Sequence, residues 1–231
     1  MSEYHRSKDA QSLLRRRIIE TAMTLFAQEG IKPVTMDRIA KELTISKRTL
    51  YEVFPDKETL LIEGFRGYRD IMHKRLDMEM ERAENVMELL LLVYQRKMDE
   101  LRLISPRFYT DLKKYPRVVA YMNAQHEEDM AGSVAFFKKG VEQGLFRADI
   151  NYEVIHRVLS SQVEFILSSL MTKEFPLNEI FNSIILVCVR GFSTLEGQRI
   201  VDDYLKNQKV APTFVIKDMI AYWKQDIQTL D

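Results

Sequence analysis

Turn-forming residues are scarce: the 231-residue chain holds 8 glycines and 6 prolines. An all-β protein needs many Gly and Pro turns, so that class is excluded. Cysteine is nearly absent. Cys188 stands alone, which rules out an intramolecular disulfide and suits a reducing compartment. Net charge is missing too. The 34 Lys and Arg balance 34 Asp and Glu, which excludes a uniformly basic coat and an acidic disordered tail. No long apolar run occurs either. The longest aliphatic stretch, residues 184–189, is far below the ~20 residues that cross a bilayer. The Met1-Ser2-Glu3-Tyr4-His5-Arg6 start has no apolar segment behind it, so no signal peptide is expected. The expectation is a cytoplasmic protein with no membrane segment, large enough to bury its own core without metal or disulfide.

What is present is helical periodicity. Ile18, Ala22, Leu25 and Phe26 recur at the spacing of one helix face, and the fold class expected is all-α, with about nine or ten helices. The spacing predicts a first helix over residues 9–29, stopped by Gly30 in a left-handed turn. Thr35 is placed to cap a second helix, 36–43, and Ser46 a third, 47–54, which Pro55 ends. A long fourth helix opens after Asp56. Two short helices joined by a tight turn and backed by another make a helix-turn-helix unit. Longer helices follow, including two strongly apolar ones over 152–171 and 177–192. The chain thus divides into a helix-turn-helix domain, 1–58, and a helical domain, 59–231, with an extra C-terminal helix expected over 213–230.

On the third helix, Leu50 and Phe54 share the inner face and leave Lys47, Arg48, Thr49 and Tyr51 outward. A recognition helix presents its N-terminal residues to the major groove. Arg48 suits guanine O6 and N7, and Thr49 suits a base edge or thymine methyl. Lys47 and Tyr51 suit phosphate. A solvated, mixed-charge helix end explains the same residues equally well. Arg15-Arg16-Arg17 is open in the same way: each arginine answers to phosphate or to water.

The string from Ile18 to Leu61 resembles the TetR/AcrR N-terminal DNA-binding domain. Its matching pieces are Ile18–Ala22, Leu25–Gly30, Val34–Ala40, Ser46–Tyr51 and Phe54–Leu61. A weaker likeness, Gly144 to Ile150, matches the loop that often precedes that family's dimerisation helices. The resemblance implies a homodimer through helices 152–171 and 177–192, with a ligand cavity in each C-terminal domain. It also implies DNA contacts from Thr35, Lys47, Arg48, Thr49, Tyr51 and Lys57, beside which Arg17 and Ser46 stand as further candidate contacts. Two positions depart from the family pattern. Thr44 stands where glycine is usual, and a left-handed backbone there strains a threonine. Glu52-Val53 replaces a more usual basic or histidine-bearing pair, and Glu52 repels nearby phosphate.

Gly64 and Gly67, inside the fourth helix, mark either close packing against the first helix or a soft point between domains. For the cavity, the candidates are Met72, Tyr94, Met98, Phe108, Tyr121, Gln125, Gln162 and Phe165: aromatics, flexible methionines and a few amides. Ordinary core packing accounts for any one of them. Glu153-Val154-Ile155-His156 echoes a di-iron motif, but that chemistry needs two such motifs and two further carboxylates. No catalytic set, cofactor loop or metal set can be assembled, so no enzyme, metal site or cofactor is expected. The reading is a ligand-responsive transcriptional repressor that binds a near-palindromic double-stranded operator as a homodimer and releases it on small-molecule binding. The alternative is a coactivator of the same fold that binds a partner protein instead of DNA.

Overall fold

The computed structural model describes residues 3–168 and 171–207. Its regular elements are helices: α1 (Glu3–Glu29), α2 (Met36–Glu42), α3 (Lys47–Val53), α4 (Lys57–Met80), α5 (Val86–Leu103) and α6 (Pro106–Leu112). They continue as α7 (Pro116–Glu142), α8 (Tyr152–Ser168), α9 (Met171–Glu174), α10 (Leu177–Ile180), α11 (Leu186–Phe192) and α12 (Leu195–Asn207). The fold class is all-α. The helix expected over 213–230 lies outside the described residues.

The first apolar helix, expected over 152–171, is described as α8 up to Ser168 and, past residues 169–170, as α9 up to Glu174; Pro176 follows, and its ring disfavours helical backbone at Phe175. The second, expected unbroken over 177–192, passes from α10 through a π-helical turn, Phe181–Ile185, into α11. At the other end, α1 begins at Glu3 rather than residue 9. Arg15, Arg16 and Arg17 therefore sit about three turns from the positive end of its dipole, where the effect has faded.

The described chain forms two compact units. One comprises residues 3–73 and Leu103–Tyr121; the other comprises Lys74–Arg102 and residues 122–207. In the first, Ile18, Ala22, Phe26, Ile31, Val34, Ile39, Leu50, Phe54 and Leu60 are wholly buried. Each large side chain so buried contributes about 1.5–3 kcal/mol. Gly30 ends α1 with φ +91°, and a Cβ there would lie 2.9 Å from Cβ of Arg107. Glycine is required twice over, for the backbone angle and for the approach of α6.

The approach is tied down by polar contacts. Ser105 N–H donates to the Ala27 carbonyl at 2.7 Å, and Lys32 N–H donates to Asp111 Oδ2 at 2.8 Å. Lys114 Nζ reaches the other Asp111 oxygen at 2.8 Å. Burial opposes ionisation of Asp111, but the bonds from Lys114 and Lys32 outweigh it and hold this carboxyl below its ordinary range. Phe108 is buried beside Phe65 and Tyr109, with ring centroids at 6.1 and 5.3 Å. Gly64 lies against Met23 of α1, whereas a Cβ on Gly67 would meet nothing within 4 Å among the described residues. Close packing therefore explains Gly64 and does not explain Gly67.

The second unit is centred on an aromatic cluster. Phe137 stacks on Tyr152 at 5.0 Å, and Phe146 meets Phe192 edge-on at 5.3 Å. Tyr152 donates to the Arg147 carbonyl at 2.6 Å, and burial, aided by the Asp149 charge, pushes its phenol up to about 12. The backbones of Phe146 and Ser193 pair in an isolated antiparallel bridge.

Candidate nucleic-acid interface and effector site

The helix-turn-helix is built from local rules. Thr35 caps α2 by accepting the Arg38 N–H at 3.1 Å, and Ser46 caps α3 by accepting the Thr49 N–H at 3.0 Å. Between them the chain closes α2 with two bonds: Thr44 N–H to the Lys41 carbonyl at 3.1 Å, and Ile45 N–H to the Ala40 carbonyl at 3.0 Å. This is a Schellman motif, which places its C′ residue in the left-handed region. That residue is Thr44, with φ +56°. The strain expected of a threonine in the glycine position is present.

Buried Leu50 and Phe54 anchor α3 and turn its other face outward. Arg48 is the most exposed of that face, at 89%. Its Nε donates to Glu52 Oε1, one turn on, at 2.9 Å. Lys47 pairs with Asp37 of α2, Nζ to Oδ1 at 2.8 Å, and lies 5.9 Å from the centroid of the exposed Tyr51 ring. The hydrogen bond and charge of Asp37 raise the Lys47 pKa, so this group stays cationic. Thr49 is half-buried, and its hydroxyl shares a hydrogen bond with Ser46 Oγ at 2.7 Å.

The remaining sequence-predicted DNA contacts differ in placement. Arg17 is exposed on α1. Lys57 instead turns inward: its Nζ donates to the Ile31 carbonyl at 2.9 Å and lies 5.9 Å from the Phe26 ring centroid. Burial lowers its pKa. It clamps the turn after α1. Arg15, which sequence reasoning left open between phosphate and water, stacks over Phe54 at 4.5 Å and pairs with Glu63 at 2.6 Å. Nothing in the local pattern announces either the Arg15 staple or the Asp37–Lys47 pair, because each joins residues far apart in the chain.

The expected effector residues separate between the two units. Met72, Phe108 and Tyr121 belong to the first, where the Arg66 guanidinium lies 5.8 Å from the Tyr121 ring centroid. Tyr94, Gln125, Gln162 and Phe165 belong to the second. The side chain of Met98 lies outside the described residues. Phe165 is 59% exposed and so does not line a closed pocket. Gln162 donates to Cys188 Sγ at 3.3 Å, and the Tyr94 phenol is pushed upward by burial and then by Cys188. The Oε1 atoms of Gln125 and Gln162 are buried without a hydrogen-bond partner among the described residues. Among those residues, no group of three or more His, Cys, Asp or Glu is arranged to hold a metal ion. No described helix is long and apolar enough to cross a membrane.

Comparison with known proteins agrees with this geometry. Residues 18–63 match the family model described as bacterial regulatory proteins, tetR family. The HTH-type transcriptional repressor KstR2 of Mycobacterium tuberculosis is 24% identical over 151 residues, 63% of this chain and 75% of that protein. A transcriptional regulator from Saccharomonospora viridis, solved in complex with choline, superposes with a TM-score of 0.66 at 21% identity, covering 79% of this chain and 99% of that one. The structure of the ketosteroid transcriptional regulator KstR2 of M. tuberculosis gives 0.52 at 19% identity, over 78% and 95% of the two chains. At these identities the structural likeness establishes the fold. Residues 18–63 therefore form a DNA-binding domain of the kind found in bacterial regulatory proteins of the tetR family, and the chain is a DNA-binding transcriptional regulator.

Proposed function

We propose that this regulator is a homodimeric repressor that binds a near-palindromic operator and releases it when a small molecule binds. Residues 1–58 read DNA, and residues 59–231 carry dimerisation and effector binding. The observation that carries the reading is the outward face of α3, where Lys47, Arg48 and Tyr51 are exposed on a helix anchored by buried Leu50 and Phe54. Arg48 and Thr49 face base edges, while Arg17, Thr35, Ser46, Lys47 and Tyr51 serve the backbone. Lys57 acts on the backbone indirectly, by holding the turn after α1. Two copies of α3 about 34 Å apart read successive major-groove faces.

Exposed apolar side chains support the dimer. Val154, Val158 and Phe165 follow one stripe of α8, and Val187 of α11 is 61% exposed. Solitary exposed apolar residues are ordinary, but a stripe along a helix marks an interaction surface. The orphan amide oxygens of Gln125 and Gln162 support an effector with hydrogen-bond donors on a largely apolar body. An effector shifts the equilibrium only through unequal affinity for the DNA-competent and DNA-free states.

The test is selection from a random duplex pool with the full-length protein, then titration of the selected site against unrelated competitor at two salt concentrations. Tight binding that survives competitor and weakens with salt supports the reading, as does its loss in Arg48→Ala/Tyr51→Ala with the fold retained. Absence of any selected sequence overturns it in favour of the partner-protein coactivator.

A further inference from the structure

Glu52 is the residue of the α3 face that DNA binding does not explain. An exposed carboxylate one turn from Arg48 repels phosphate and weakens every DNA complex. Yet the structure gives it a specific partner: it accepts the Nε–H of Arg48 at 2.9 Å, with the two side chains 89% and 60% exposed. Among the described residues, neither terminal nitrogen of Arg48 has a hydrogen-bond partner.

The guanidinium is a planar fork of five N–H donors. When its Nε–H is held, the end edge carrying the two terminal nitrogens points away from the held bond and stays free to donate. Two parallel N–H donors are what guanine O6 and N7 accept in the major groove. Arginine is otherwise a long side chain with many rotamers, and each lost on binding weakens the complex. We propose that Glu52 is a positioning residue for sequence reading: it holds Arg48 by Nε so that the terminal fork is aimed at guanine, exchanging general DNA affinity for selectivity. The inference rests on the DNA-reading function proposed above.

Exposed ion pairs at this spacing are common and contribute little to folding, so Glu52 can be changed without unfolding the protein. Its worth emerges only when DNA excludes water from the pair and strengthens it. The neighbouring cation follows the same plan, since Lys47 is held by Asp37. The reading face therefore offers its cations already paired. Unrelated DNA must compete with carboxylates for them, while a matching guanine needs only the free edge of Arg48.

The experiment uses the full-length protein, its selected operator, every single-base-pair variant of that operator, and unrelated DNA. Wild type is compared with Glu52→Gln, Glu52→Ala, Arg48→Ala and the double variant, with circular dichroism confirming the fold of each. Wild type discriminates roughly 5- to 150-fold against loss of the guanine read by Arg48. Both Glu52 variants gain several-fold affinity for unrelated DNA, because each removes the same charge. Discrimination at that guanine falls to a few-fold in Glu52→Ala. It is intermediate in Glu52→Gln, whose amide oxygen still accepts the Nε–H. In the Arg48→Ala background, Glu52→Ala changes discrimination nowhere. An equal gain of Glu52→Ala on the operator, its variants and unrelated DNA overturns the inference while leaving the DNA reading standing. A discrimination loss that persists without Arg48 also overturns it. Failure of wild type to select any sequence removes the DNA reading and this inference together.

Discussion

Two helix-interior glycines are expected to respond to alanine with opposite signs. Gly140, near the end of α7, is buried, and a Cβ on it would overlap three ring carbons of Phe146, the farthest at 2.8 Å. That ring cannot retreat. It is 1% exposed and hemmed in by Phe192 at 5.3 Å, Phe137 at 5.8 Å, and Phe136 and Tyr152 at 6.4 Å between centroids. Overpacking a tight core costs about 1–3 kcal/mol, and a helix gains about 1 kcal/mol from alanine over glycine. That gain shrinks near a helix end, so Gly140→Ala should lose about 1–2 kcal/mol. Gly67 is the converse. It lies inside α4, a Cβ there meets nothing within 4 Å among the described residues, and Gly67→Ala should gain about 1 kcal/mol. At this chain length 1 kcal/mol moves Tm by about 2–4 °C, so the two variants should bracket wild type. Urea unfolding by circular dichroism gives the free energies, and fluorescence as a second probe tests for separate transitions of the two units. A Gly140→Ala variant as stable as wild type would refute the packing argument, and a destabilised Gly67→Ala would show that its space is filled.

Three further outcomes follow from the geometry. Thr44→Gly should stabilise by about 0.5–1 kcal/mol in denaturant titration, relief of a left-handed threonine exceeding the added freedom of glycine when unfolded; a loss would show that the methyl or hydroxyl of Thr44 has a role. Asp111 has a lowered folded pKa, so its stabilisation is present above the unfolded carboxyl value near 4 and is lost as pH falls through the folded value. The stability gap between wild type and Asp111→Asn should therefore narrow from pH 6 towards pH 2–3, and a pH-independent gap would count against the clasp. Lys57→Met should lose about 1.5 kcal/mol of stability as its charged hydrogen bond to the Ile31 carbonyl disappears; unchanged stability with weakened DNA binding would return Lys57 to direct phosphate contact.

The DNA-reading half was largely legible because its information is local. A Thr35 or Ser46 cap satisfies N–H groups three residues on, Gly30 takes the left-handed angle that stops α1, and Leu50 and Phe54 define the inner face of α3 by spacing alone. Thr44 shows the same logic under strain: the Schellman bonds impose φ +56° whatever residue stands there. All of this acts within a turn or two of chain, so the amino-acid order determines it.

Tertiary structure decided which charges remain available. Arg15, Lys57, Lys47 and Arg48 look alike in sequence as cations near a helix-turn-helix. Only the packed chain sends Arg15 onto Phe54 and Glu63, turns Lys57 into the Ile31 carbonyl and gives Lys47 to Asp37, while Arg48 keeps the outward place and the Glu52 partner that its own helix provides. The effector residues behaved likewise: aromatic and amide content suggested a pocket, but packing divided them between two units and left Phe165 exposed. The physical reason is range. Caps and helix faces are set by neighbours in sequence, whereas the partner of a long charged side chain is whichever group the fold brings within about 3 Å.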